Sequence, residues 1–275
     1  MPLTLTPLKN IPLIRQGDNL ADIIISALKE NDILLAGNDI LVLAQKVVSK
    51  AEGRAVNLAT VAPSQRAIEL AGQTEKDARL VELVLQESHQ VLRTRPGAII
   101  VEHKLGFVCA NAGIDHSNVG PSLSEGEWAR RRAEPVEVVK AAGDPAEAWV
   151  LLLPAHPDRS AESIRHQIES RMGQRIGVLI IDSHGRAWRN GTTGAAIGLS
   201  GLPGLQDLRG EPDLFGYTLR ITQVAVADEL AAAASLVMGQ AAEGTPVVHV
   251  RGFPYELREG SVKELIRPKE QDLFR

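Results

Sequence analysis

The chain has 275 residues, 44% of them hydrophobic and 23% charged, with a formal net charge of −4, proportions that describe a globular protein able to bury a large core. They exclude a basic field for nucleic acid, and three Trp, two Tyr and four Phe leave little on which bases could stack. No stretch approaches the roughly 18 apolar residues of a membrane span, and Met1–Asp18 has no apolar signal core, so a cytoplasmic protein is expected.

The first strong strand is predicted over Asp39–Val48, running into Ser49-Lys50-Ala51-Glu52-Gly53-Arg54. A helix should follow from Ser64, its N-cap just after Pro63, to about Ser88. Short strands around residues 90–92, 98–102 and 106–110 then lead into a first acidic segment, Ala112-Gly113-Ile114-Asp115-His116-Ser117-Asn118. The single cysteine, Cys109, lies in the third of these strands. It excludes an internal disulfide and any CxxC motif, and reads as a small core residue.

Residues 121–147, with the triplet Arg130-Arg131-Arg132, read as a charged surface insertion. A strand at 148–153 is ended by Pro154 and Pro157, Ser160 caps a helix to Met172, and Gly173 stops it. The strand Ile176–Ile181 opens into a second acidic segment, Asp182-Ser183-His184-Gly185-Arg186. The glycine-rich residues 191–204 fit neither GxxxxGK[ST] nor GxGxxG. A strand over Thr218–Val224, an Ala-rich helix over Asp228–Met238 and a strand over Pro246–Arg251 complete the pattern, and residues 252–275 are expected to be peripheral. The sum is an α+β fold with mixed sheets and flanking helices.

Both acidic segments follow apolar strands, where α/β proteins place their chemistry. A hard cation such as Mg²⁺ or Mn²⁺ takes oxygen ligands, commonly one or two carboxylates completed by water and phosphate oxygens. Asp115 and Asp182, with the Ser183 hydroxyl and the Asn118 amide, have that composition; equally, Asp beside Gly113 or Gly185 is ordinary turn chemistry. Lys46 and Lys50 close the first strand as point charges suited to phosphate, or as plain solvated ends. Arg186 and Arg189 are candidates for a substrate anion or for pairing with Asp182. The histidines have no HExxH spacing and there is no GxSxG, so neither zinc nor a covalent serine mechanism has support.

Taken together these segments resemble the coenzyme F420:L-glutamate ligase family. The likeness is carried by Ile11-Pro12-Leu13-Ile14 with Gly17-Asp18, Val48-Ser49-Lys50-Ala51-Glu52-Gly53-Arg54, Gly113-Ile114-Asp115-His116-Ser117-Asn118-Val119 and Leu151-Leu152-Leu153-Pro154. It continues through Asp182-Ser183-His184-Gly185-Arg186-Ala187-Trp188-Arg189, Asp207-Leu208-Arg209-Gly210 and Leu236-Val237-Met238-Gly239-Gln240. The resemblance implies one ligase-like domain over residues 1–275, divisible into two lobes, in an intertwined homodimer. It implies a GTP-dependent enzyme, using Mg²⁺ or Mn²⁺ and helped by K⁺, that joins L-glutamate to a deazaflavin precursor, F420-0 with F420-1 as a further acceptor. By that likeness Asp115, Asp182 and Ser183, with Gln240, hold the metals. Ile11, Pro12, Leu13, Ile14, Gln45, Lys46, Lys50, Asn118, Met238, Gly239, Gln240 and Glu243 line the GTP site, and Lys50, Asp115 and Asp182 serve the chemistry. Against the family pattern Ser183 stands where Thr is common, Gln45 where a small hydroxylated residue is common, and 121–147 is long. Other functions open to the same residues are a ligase for another carboxylated cofactor, a metal-dependent nucleotide phosphohydrolase, and a silent binding module.

Overall fold

The computed structural model describes residues 2–117, 119 and 149–273. Two compact units divide the chain: one comprises Met1–Ile14, Asp18–Ala51 and Pro154–Arg275, the other Arg15–Gly17 and Glu52–Leu153. In chain order the elements are β1 (Thr4–Pro7), α1 (Leu20–Glu30), β2 (Ile40–Ala44), α2 (Gln45–Ala51), β3 (Ala55–Asn57), α3 (Gln65–Thr74), α4 (Ala78–Gln86), β4 (Ser88–Arg95), β5 (Ala98–His103), β6 (Val108–Ala110) and β7 (Trp149–Leu151). They continue with α5 (Pro157–Met172), β8 (Gly177–Arg186), β9 (Arg189–Ser200), β10 (Gln206–Asp207), β11 (Gln223–Val224), α6 (Val226–Met238) and β12 (Val247–Arg251). The mixed α/β class read from the sequence holds. No helix among the described residues is long and apolar enough to cross a membrane.

In the first unit, five strands form a sheet in the order β1-β12-β2-β8-β9. Only β2 and β8 run parallel, pairing Ile40 with Gly177 through to Ala44 with Ile181. Alternation sends Ile40, Val42 and Leu179 to a cluster with Leu230, Ala231 and Ala234 of α6, while Leu41, Leu43, Val178 and Ile180 are just as fully buried on the other side. Each such aliphatic side chain contributes about 1.5–3 kcal/mol by leaving water.

Two glycines allow helices to approach β9 closely. A Cβ on Gly194 would stand 2.4 Å from the Ala231 carbonyl oxygen of α6, and one on Gly198 would stand 2.4 Å from Pro157 Cβ of α5. At the far end of β2, buried Asp39 accepts hydrogen bonds from Arg251 Nε (2.9 Å) and Nη2 (2.7 Å), His249 Nε2 (2.8 Å) and Ala36 N (2.8 Å). Burial pushes its carboxyl up, but those donors outweigh it and hold the group below the usual carboxylate range.

The tail expected to be peripheral buries Leu257 and Val262 and is tied down by polar contacts. Ser261 Oγ donates to Asp158 Oδ2 at 2.6 Å, and buried Arg165 donates to Ser200 Oγ (2.9 Å) and Glu259 Oε1 (2.8 Å). Glu264 accepts from Arg258 Nη1 (2.9 Å) and Nη2 (2.7 Å) and from the backbone N–H groups of Gly204 (3.2 Å), Leu205 (3.1 Å) and Ser261 (3.3 Å).

In the second unit, β4-β5-β6 form an antiparallel meander whose Ile99, Val101 and Cys109 pack with Ala67, Leu70, Val81 and Val84 of α3 and α4. Cys109 is thus a core residue. A separate pair, β3 with β7, sets Ala55 opposite Leu151 and Asn57 opposite Trp149.

Several predicted boundaries move. The strand expected over Asp39–Val48 stops at Ala44, and Gln45–Ala51 is helix, because the short apolar run Ile40–Ala44 is followed almost at once by Val47-Val48, and apolar runs that short have no period to separate strand from helix. The helix expected from Ser64 to Ser88 is two: Ser64 does cap the first, Glu75 ends it in a left-handed conformation, and Asp77 caps the second through Arg79 N at 2.8 Å. The helix expected to start at Ser160 begins at Pro157, whose fixed φ and missing donor suit the first turn. Of Thr218–Val224 only Gln223 and Val224 are strand. The insertion at 121–147 lies outside the described residues.

Candidate active site

The parallel pair β2 and β8 fixes the site in the first unit. Ala44 pairs with Ile181, so α2 starts at the same sheet end as Asp182. Lys46 and Lys50, one turn apart, share a side of that helix and are partly buried. Gln45 sits on another face, only 1% exposed, its Oε1 accepting from Ser49 Oγ at 2.9 Å. Its buried Nε2 has no hydrogen-bond partner among the described residues, which leaves the amide N–H donors for a ligand.

The second acidic segment is not a loop. β8 continues through it to Arg186 and forms a long hairpin with β9, so Asp182 and Ser183 are held by ladder pairs with Ala195 and Gly194. The threonines and glycines of 191–200 supply the partner strand, which sequence reading left unassigned. Ser183 Oγ lies 2.9 Å from Gln240 Oε1, donating to it, and Gln240 Nε2 donates to Ser235 Oγ at 2.9 Å, so α6 and its exit turn are tied to the acidic strand. In that turn Met238 is buried, Gly239 has φ 75°, and Glu243 accepts from Ala241 N at 2.8 Å. Asp182, Ser183, Gln240 and the start of α2 are thereby gathered at one end of the sheet.

Two groups near Asp182 carried no assignment in the sequence. His184 Nε2 lies 3.1 Å from Asp182 Oδ2. Asp228, in the first turn of α6, accepts from Ala196 N at 2.9 Å; burial pushes its carboxyl up, opposed by that N–H and by nearby His184. Its signals in the sequence were an acidic residue at a helix start and the place of Ala227-Asp228-Glu229 in the family likeness, neither of which gave it a role.

In the second unit Asp115 follows three consecutive left-handed residues, Asn111, Ala112 and Gly113, at φ 50°, 53° and 65°. Its backbone bridges Leu151, and its Oδ1 accepts from Ser117 N (2.7 Å) and Ser117 Oγ (2.8 Å), the local turn bonding that the composition also allowed. Asn118 lies outside the described residues. Residues Ile11 to Ile14 belong to the first unit, where Asn10 and Pro12 line a cleft of about 380 Å³ against Asp22, Ile23, Ser26, Ala27 and Glu30. Ile14 itself is buried and Leu13 half-exposed.

Among the described residues no group of three or more His, Cys, Asp or Glu side chains is close enough to hold a metal. The Asp182 carboxylate, Ser183 hydroxyl and Gln240 amide oxygen are nevertheless all hard oxygen donors, a set that fits Mg²⁺ or Mn²⁺ when water and phosphate complete the shell.

Fold and site define a mixed α/β protein with lysines and oxygen donors assembled at the end of a parallel strand pair. Its sequence from residue 9 to residue 252 matches the model of the F420-0:gamma-glutamyl ligase family, and the chain belongs to that family. It is 44% identical over 277 residues to the coenzyme F420:L-glutamate ligase of Methanothermobacter thermautotrophicus, covering 100% of both chains. It is 40% identical to those of Methanocaldococcus jannaschii, over 96% of this chain and 94% of that one, and Archaeoglobus fulgidus, over 100% and 97%.

Proposed function

We propose that this chain is a ligase that forms an amide bond between L-glutamate and a carboxylate of the coenzyme F420 precursor, consuming GTP. The observation that supports this most directly is the family match over residues 9–252, which takes in every polar group gathered at the sheet end. A carboxylate is a poor electrophile at neutral pH, so the acceptor is first phosphorylated. The γ-phosphoryl group passes from GTP to a carboxylate oxygen, leaving GDP and an acyl phosphate. The glutamate amine then attacks the acyl carbon, loses a proton and expels phosphate.

Positioning and charge neutralisation dominate phosphoryl transfer. Lys50 and Lys46, on one side of α2, neutralise the transferring group, while Ile11 to Ile14, Gln45 and the turn Met238 to Glu243 hold the nucleotide. Asp182, Ser183 and Gln240 would hold a divalent Mg²⁺ or Mn²⁺, whose charge offsets that on the phosphate oxygens; K⁺ assists nucleotide binding.

The active form in this reading is a homodimer. Between β10 and β11 the arm at 208–222 leaves Leu214, Phe215 and Ile221 at 98%, 95% and 88% exposure, apolar surface suited to a second copy. Replacing Leu214 and Phe215 by Ser should yield monomers in light scattering. Mass spectrometry of F420-0 incubated with the protein, L-glutamate, GTP and Mn²⁺ tests the activity: a product heavier by glutamyl units is expected, made with GTP and not without it. No mass gain from folded protein would refute the ligase.

A further inference from the structure

The β8–β9 hairpin turns at its tip through two residues, Ala187 and Trp188, between the paired Arg186 and Arg189. Three features of that tip are unfavourable in an idle surface turn. Trp188 has φ 64°, a conformation that Gly or Asn takes without strain and a bulky residue does not, and its side chain is 89% exposed. Arg186 and Arg189 are directly opposite each other across the strands, where like charges repel. Neither guanidinium has an ion-pair or hydrogen-bond partner among the described residues. The register also shifts between Gly185 and Arg186, a bulge of the kind that re-aims side chains beside binding sites.

An anion lying across the two guanidiniums would remove their repulsion, and a flat ring would cover the indole. One ligand that does both is a planar heteroaromatic ring tethered to an acidic group. The tip stands four residues beyond Asp182 on the same strand, roughly 13 Å at the rise of an extended chain. A molecule reaching from one to the other is elongated, reactive at the acid end and anchored at the ring.

Resting on the ligase reading above, we propose that this tip is the ring-binding end of the acceptor site: Trp188 stacks on the deazaflavin ring, and Arg186 with Arg189 binds the acidic group tethered to it. GTP shares the chemistry of a ring with an anionic tether, so the test varies each substrate separately.

Steady-state glutamyl transfer is measured for the wild type, Trp188→Ala and Trp188→Phe, with precursor, GTP and glutamate titrated in turn. Loss of one stacking contact predicts a KM for the precursor raised about tenfold in Trp188→Ala, with kcat and the other two KM values within about twofold, and most of the loss recovered in Trp188→Phe. Unchanged KM for the precursor would overturn the assignment, as would a rise confined to GTP or glutamate, or a shift to monomers with KM intact. A wild type that makes no product would defeat the ligase reading instead. The tip is then decided by tryptophan emission alone: quenching by the precursor that disappears in Trp188→Ala supports it, and quenching equal in both proteins overturns it.

Discussion

Replacing Glu264 by Gln removes the charge on which the C-terminal segment converges. The carboxylate accepts from both terminal nitrogens of Arg258 and from three backbone N–H groups, and chiefly through Arg258 its pKa is drawn down to about 2 from 4.5. At about 1.4 kcal/mol per unit, and reduced for the 26% of the side chain that meets solvent, this is worth about 2–3 kcal/mol at pH 7. Because the folded pKa is depressed, the contribution is complete above the unfolded value near 4.5 and declines as pH falls toward 2, with more than half gone by about pH 3. Urea unfolding of the wild type and Glu264→Gln at pH 7, 5, 4 and 3 reads this directly. The variant should unfold at lower urea at neutral pH, and the two curves should converge on acidification. A gap below about 1 kcal/mol at pH 7, or one of equal size at pH 5 and pH 3, would refute the placement of this carboxylate among five donors.

Three further predictions concern the site and its supports. Asp182→Asn should abolish glutamyl transfer while leaving the circular dichroism melt within a few degrees of wild type; retained turnover would remove Asp182 from the chemistry. Asp39→Asn leaves Arg251 and His249 without their shared anion in the sheet and should cost about 3–5 kcal/mol in urea unfolding, so a near-neutral variant would contradict that cluster. Gly194→Ala forces a Cβ to within 2.4 Å of the Ala231 carbonyl and should cost about 1–3 kcal/mol; unchanged stability would mean that α6 lies farther from β9 than described.

How much of this was visible in the sequence depended on whether a local signal existed. Ser64, Pro63 and Gly173 mark helix ends by capping chemistry that any context preserves, and they were readable. Val47 and Val48 follow the apolar run of β2 so closely that the stretch was too short to show a period, so strand and helix looked alike. Residues 191–200 carry so much Gly and Thr that no element could be assigned to them, yet Gly194 and Gly198 are there because helices press on the strand, a fact of tertiary packing. Asp182 and Ser183 stood out as strand-end polar residues, and Gln240 only through the family likeness. Asp228 joins them from a helix 46 positions away, which no spacing rule connects.

The antiparallel pairing of β3 with β7 has a consequence for how such a protein is built. Beyond Ala55 and Leu151 the two chains stay zipped, Leu152 N reaching Arg54 O at 3.1 Å and Arg54 Nε reaching Leu153 O at 2.8 Å. The whole of 52–153 therefore enters and leaves through one doorway, and its ends are adjacent strands rather than distant points. A segment mounted this way behaves as a cassette: a crossover between relatives at positions 52 and 153 takes both β3 and β7 from one parent, so the pairing of Ala55 with Leu151 is inherited intact.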